Sequence, residues 1–199
     1  MPKQVDHEQR RGQIAEALLR LTAREGLEAV SLRHVATEAG VSMGAVQHYF
    51  KTKDEMLLFA LRYQDDLRER RITASLATAG VSPTPRDILR ACLVEIIPTD
   101  ERSTSEWLVG VAYFIRALAS SSMAAVYTEG MPKLFEFFAD QIRQAQSSGE
   151  VSPELDAGRE AEILWALADA QGTSILLGQR TPSEAVALLD YHLARLFRV

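Results

Sequence analysis

Residues 31–50 read SLRHVATEAGVSMGAVQHYF. Ser31 is placed to cap a short helix whose apolar residues Leu32, Val35, Ala36 and Ala39 recur at i, i+3, i+4 and i+7, on one face. Gly40 supplies the residue that tolerates positive φ, and Ser42 can cap a second helix from Met43 to about Phe50. Two short helices about so tight a turn make the helix-turn-helix pattern. Helices that cross steeply need a small residue where they touch, and Ala36 is there. Val41, Val46 and Phe50 are the apolar anchors that lock the second helix against the first. Met43, Gly44, Gln47 and His48 then point outward, and Gly44 allows close approach of another backbone.

Outward from this stretch, nearly every segment reads as helix. Ile14, Leu18 and Leu21 stripe a helix over Gln9–Glu25 that Gly26 closes. Thr52 and Glu55 form a Thr-x-x-Glu capping box ahead of a helix carrying Met56, Ala60, Tyr63 and Leu67. Thr84 caps the next, with Pro85 at the first helical position, and Pro98 ends it. Ser103 and Glu106 can form another box before a helix apolar almost all round (Trp107, Leu108, Val111, Phe114, Ile115, Leu118), which places that helix at the centre of a bundle. Serines 120–122 predict a break. A long helix bearing Tyr127, Met131, Leu134, Phe135, Phe138 and Ile142 follows, with a kink expected at Pro132. The last two helices run from about Asp156 to Leu177 and from Pro182 to Phe197, the final one opening on Thr181, Pro182 and Glu184. Strand patterning is almost absent. The expected class is all-α, about nine helices, divided into residues 1–52 and 53–199.

Composition bounds the function. The 199 residues are 47% hydrophobic and 25% charged, the balance of an ordinary globular chain. The longest run of apolar residues and glycine, Trp107 to Ile115, spans nine positions, whereas a membrane helix needs roughly 20. The N-terminal residues lack the apolar stretch of a signal peptide, and the single Cys92 excludes an intrachain disulfide. A cytoplasmic protein without membrane contact is expected. The net charge of −5 argues against nucleic acid until it is divided. Through Lys53 there are eight Lys and Arg against six Asp and Glu; the remainder holds 14 against 21. A mildly basic front precedes an acidic body.

Residues 35–57, from Val35-Ala36 through Ala39-Gly40-Val41-Ser42-Met43-Gly44-Ala45-Val46-Gln47-His48-Tyr49-Phe50 to Lys53-Asp54-Glu55-Met56-Leu57, resemble the DNA-binding signature of the tetracycline-repressor (TetR) family of bacterial transcriptional regulators. The specific part covers roughly residues 10–60. Chain length, helix order and the closing Thr-Pro-x-Glu-Ala helix agree without a further motif. One departure stands out, since the family's frequent Tyr is Gln47 here. Glutamine can pair bidentately with adenine in the major groove, so Gln47 is the expected base reader. Ser31 and Ser42, with the amides they cap, are expected to meet phosphates. Arg33, His48, Tyr49 and Lys53 are placed on the DNA backbone or groove edge, with Lys53 matching the family's phosphate-contacting lysine, and Met43 and Gly44 complete the contact set.

The resemblance implies a homodimer on double-stranded operator DNA, most simply a repressor. It implies a small, largely apolar effector in the C-terminal helices. Expected pocket residues are Tyr63, Trp107, Val111, Met123, Tyr127 and Trp165, with Asp169 orienting a polar group, although these aromatics serve equally as core filler. The last two helices are expected to form the dimer interface through Leu176, Val186, Leu189, Leu193 and Leu196. The alternative is a helical ligand-binding or scaffold protein without DNA function. Gly40-Val41-Ser42-Met43-Gly44 also matches the G-x-S-x-G elbow of serine hydrolases, but an amphipathic helix precedes it where that chemistry needs a strand. His7-Glu8 starts a zincin-like motif whose second ligand position is Arg11. No enzyme activity, metal or cofactor is expected.

Overall fold

A computed structural model describes the backbone of residues 2–78 and 82–197, and the side chains of these except 2–6 and 122. Among the described residues there are nine α-helices and no strand. They are α1 (Pro2–Glu25), α2 (Leu32–Glu38), α3 (Met43–Tyr49), α4 (Lys53–Ala77), α5 (Pro85–Val94), α6 (Glu101–Leu118), α7 (Ser121–Ser147), α8 (Ala157–Leu176) and α9 (Pro182–Leu196). A single 3-10 turn, Leu27–Ala29, joins α1 to α2. The chain forms two compact units, one of Met1–Arg68 with Leu108–Ala124, the other of Glu69–Trp107 with Ala125–Val199.

In the first unit α1 buries Ile14, Ala15, Ala17, Leu18 and Leu21, the face expected from their spacing. The helix runs back beyond Gln9 to Pro2, a residue favoured at a first helical position because it has no N–H to leave unpaired. The Thr52 box forms only in half. The Glu55 amide donates to Thr52 Oγ1 at 3.0 Å, but the Glu55 carboxylate accepts from the Lys51 amide at 2.8 Å, one residue earlier than expected. Arg116 donates to the Asp54 carboxylate at 3.1 Å, tying α6 to α4. Tyr113 donates to the Met123 carbonyl at 2.6 Å across the serine break.

The second unit has a single core drawn from α5, α7, α8 and α9. It contains Leu89, Leu93, Ile97, Phe138, Ile142, Ala161, Leu164, Ala168, Leu189 and Leu193, all fully buried. Thr84 and Thr181 cap α5 and α9 as expected, each in a reciprocal box, with Asp87 and Glu184. Asp156 caps α8. Arg90 and Asp190 form a two-pronged ion pair between α5 and α9, at 2.6 and 2.9 Å.

Three expectations are corrected. The start of α6 lies upstream of the predicted Ser103 box. Asp100 Oδ1 accepts from the Ser103 amide at 2.7 Å while Ser103 Oγ accepts from the Asp100 amide at 2.9 Å. A carboxylate is a stronger cap than a hydroxyl, so it captures the serine as its own partner. Second, α6 does not bury its apolar surface all round: Phe114, Ile115 and Leu118 are 50, 60 and 74% exposed. Third, Leu189, Leu193 and Leu196 face the core of their own unit and leave no side-chain surface for a second copy; Val186 packs against the same core. Of the five residues expected at a dimer interface, only Leu176 is exposed, at 39%. The apolar side chains that α8 and α9 leave open are Ile163, Leu176, Leu177 and Tyr191. Pro132 lies within α7 without interrupting it.

Candidate nucleic-acid interface

The turn between α2 and α3 is closed by backbone geometry. Gly40 has φ +64°, the Val41 amide donates to Ala36 O at 3.0 Å, and the Gly40 amide donates to Thr37 O at 3.1 Å. These are the two bonds of a Schellman motif, which needs the left-handed residue that glycine provides. Ser31 Oγ accepts from the His34 amide at 3.2 Å and Ser42 Oγ from the Ala45 amide at 3.1 Å, so both predicted caps are formed. Val35, Val46 and Phe50 are fully buried and Ala36 nearly so.

Several holding contacts were invisible to the sequence pattern. The Gln13 amide of α1 donates to the Ala39 carbonyl at 2.6 Å and pins the turn. Arg20 and Arg24 both bond to Glu38, and these bonds, Arg20 first, hold the Glu38 carboxyl below its ordinary value. Arg11 lays its guanidinium over the Phe59 and Phe50 rings, at 4.1 and 5.5 Å. Such partners lie 14 to 48 residues apart in the chain, too far for any local periodicity to reveal.

The outer side of α3 is open. Gln47 and His48 are exposed, Met43 and Tyr49 half-buried. Gly44 is exposed, and a Cβ built on it would meet only Ser42 Oγ, at 3.9 Å. Nothing inside the chain therefore requires glycine at that position. Arg33 is exposed and has no carboxylate partner among the described residues. The Lys51 ammonium donates to the Gln47 carbonyl at 3.0 Å, closing the C-terminal turn of α3. Lys53 is half-buried, and its ammonium donates to the Leu27 carbonyl, so one of its three hydrogens braces the 3-10 turn and two are left. Glu25 and Glu38 are paired with Arg20 and Arg24, whereas Arg33, Lys51 and Lys53 have no carboxylate ion-pair partner among the described residues. Ser42, the serine of the hydrolase-like motif, accepts from the Ala45 amide as the cap of α3. No cluster of metal-ligating side chains occurs among the described residues.

The expected effector residues fall in both units. Tyr63, Val111 and Met123 belong to the first. There Tyr63 donates to Glu16 at 2.6 Å with its ring 3.1 Å from a Cβ built on Gly12, and Met123 is fully buried. Trp107, Tyr127, Trp165 and Asp169 belong to the second. Here α8 shows a feature that residue types alone did not indicate. A Cβ built on Gly172 would lie 1.9 Å from Trp107 Nε1, so the indole of Trp107 rests directly on the helix backbone. Trp165, Asp169 and Gly172 recur at i, i+4 and i+7, on one face of α8. The Trp165 ring meets that of Phe135 edge to face at 6.4 Å, and desolvation pushes the Asp169 carboxyl above its ordinary value.

Comparison with known proteins agrees with the geometry. Residues 14–59 match the family model for bacterial regulatory proteins of the tetR family, and residues 85–198 match the C-terminal domain of BetI-type transcriptional repressors. The chain is 35% identical over 178 residues to the HTH-type transcriptional regulator PksA of Bacillus subtilis, covering 89% of this chain and 83% of that one. It is 38% identical over 145 residues to the regulator BetI of Burkholderia thailandensis, 73% of each. A transcriptional regulator from Saccharomonospora viridis, solved in complex with choline, superposes with a TM-score of 0.81 at 28% identity, covering 94% of this chain and 96% of that one. The chain belongs to the TetR family of bacterial transcriptional regulators, DNA-binding proteins without enzymatic activity.

Proposed function

We propose that this chain is a one-component repressor that works in the cytoplasm, binds a near-palindromic operator as a homodimer, and is released by a small effector. Residues 1–52 read the DNA, and residues 53–199 bind the effector and pair the two copies. The observation that carries the reading is the open outer side of α3, where Gln47 is exposed beside Lys51, an ammonium with no carboxylate ion-pair partner among the described residues. Gln47 reads a base, adenine by preference. Ser31, Arg33, Ser42, His48, Tyr49 and Lys53 hold the backbone, and Met43 and Gly44 let α3 seat closely in the major groove. Two such helices must meet successive grooves about 34–36 Å apart. An effector that favours another spacing weakens binding, and by linkage the operator weakens the effector to the same degree.

For the effector, the face of α8 bearing Trp165 and Asp169, with Trp107 laid on Gly172, suits a small amphiphilic cation. Aromatic faces and a carboxylate attract positive charge. The choline-bound structural neighbour supports the same class. Expectation thereby shifts from a largely apolar compound to one that also carries charge.

Selection of bound sequences from random duplexes at stated salt tests the operator reading. An enriched palindrome, lost with Gln47→Ala, is expected; no enrichment, or enrichment indifferent to that change, overturns it. Trp107 and Trp165 are the chain's two tryptophans, so titration with choline should quench its intrinsic fluorescence. A flat response up to tens of millimolar removes choline as effector.

A further inference from the structure

His7 is drawn against α3. Its Nδ1 stands 2.9 Å from the Tyr49 hydroxyl. Its ring lies 5.8 Å from that of Tyr49 and 6.5 Å from that of His48, centroid to centroid. His48 and Tyr49 meet edge to face at 5.1 Å. The three rings form one cluster at the C-terminal end of α3, and both imidazoles are exposed. Tyr49 is the last residue of α3, and Phe50 already leaves the helix with φ −136°. A helical tyrosine still has more than one open χ1 well, and these wells place its hydroxyl at well-separated points. The bond to His7 removes that freedom while the surface is still empty, which lowers the ordering cost of any contact the hydroxyl then makes.

We propose that His7 is a positioning residue for operator binding, holding the Tyr49 hydroxyl at the open surface of α3 for a phosphate oxygen. This rests on the DNA-binding reading given above. The productive arrangement has His7 Nδ1–H donating to the phenol oxygen, which leaves the phenol's own hydrogen for the phosphate. A phosphate contact sets register without reading sequence, so His7 acts on affinity and not on base preference.

The test uses the full chain and the duplex that wild type selects. His7→Ala should weaken binding about three- to tenfold, the range of one hydrogen bond, and Tyr49→Phe should weaken it by a similar factor. The double variant should bind no worse than Tyr49→Phe alone, because the two residues act through one contact. His7→Asn, whose amide can take the place of Nδ1–H, should recover most of the loss. Ratios of affinity between the selected duplex and single-base variants should be the same for His7→Ala and wild type. Unchanged binding by His7→Ala, additive losses, or His7→Asn as weak as alanine overturns the proposal and leaves the DNA-binding reading standing. Failure of wild type to select any duplex removes both. Tyr49→Phe keeps the ring and its packing, so unchanged binding by that variant overturns the proposal even if His7→Ala melts early.

Discussion

Gln47 and Arg33 are both exposed, yet their loss should be felt differently. In the proposed complex Gln47→Ala removes a base contact, which should cost about 1–3 kcal/mol of discrimination at one operator position while leaving the salt dependence intact. Arg33→Ala removes a cation that no carboxylate offsets. It should weaken binding to every duplex alike and lower the slope of log K against log salt by about one. Fluorescence anisotropy over a salt series, on the selected duplex and on a scrambled one, separates the two. Gly172 offers a contrasting case at the scale of one atom. With Trp107 Nε1 1.9 Å from where a Cβ would stand, Gly172→Ala must push the indole off α8. The expected results are a shifted tryptophan emission maximum and loss of the choline response, with operator affinity in the absence of effector retained.

Helix starts were the most legible feature of the chain, because a cap is written within four residues. Ser31, Ser42, Thr84 and Thr181 all close the bonds their spacing predicts. Ser103 misled because Asp100 competes for the same turn, and a charged acceptor wins it. Periodicity located the stripe on α9 but not what it faces: the same leucines would serve a partner or the chain's own α5 and α8, and they serve the latter. For the site, exposed residues of α3 could be read from helical phase, whereas Gln13, Arg20, Arg24 and His7 act from α1 through contacts that no local pattern encodes. The caps also predict a pH response. Hydrogen bonds from Thr84, Ser103 and Thr181 hold the carboxyls of Asp87, Asp100 and Glu184 below their ordinary values of 3.8, 3.8 and 4.5. Depressed carboxyls add stability that is fully present above those values and is lost as pH falls through and below them. The melting temperature should therefore hold from neutrality to about pH 5 and decline below about pH 4. Thr84→Ala or Thr181→Ala should lower it at pH 7 by a few degrees, the effect of about 1 kcal/mol in a chain of this size. A melting temperature indifferent to either substitution would show that the boxes carry no stability.

At the scale of the whole molecule, pairing of two copies should rest on what α8 and α9 leave open. Leu177 and Tyr191 are 67 and 60% exposed, while Leu189 and Leu193 are fully buried. Leu177→Arg with Tyr191→Arg should give a folded monomer by light scattering and circular dichroism, with operator binding lost because one half-site is then held alone. Leu189→Arg should instead unfold the second unit, since it forces a charge into a closed core. A variant of the first kind that remains dimeric would move the interface to another face. Charge follows the same division of labour. The total of −5 conceals a basic front in which Glu25 and Glu38 are already paired with arginines, and the acidic remainder discourages contact with DNA elsewhere.

Cys92 gives the experimenter an opening. Partial burial pushes its thiol up to about 11, so at pH 7.5 it is almost wholly protonated. The native thiol should therefore react slowly with maleimides. A single reporter cysteine at an exposed position, Thr37 in the first unit or Ser183 in the second, would be labelled preferentially. Spin labels placed so, one per copy, would measure how far apart two reading heads stand with and without effector, on the native background and without removing any residue first.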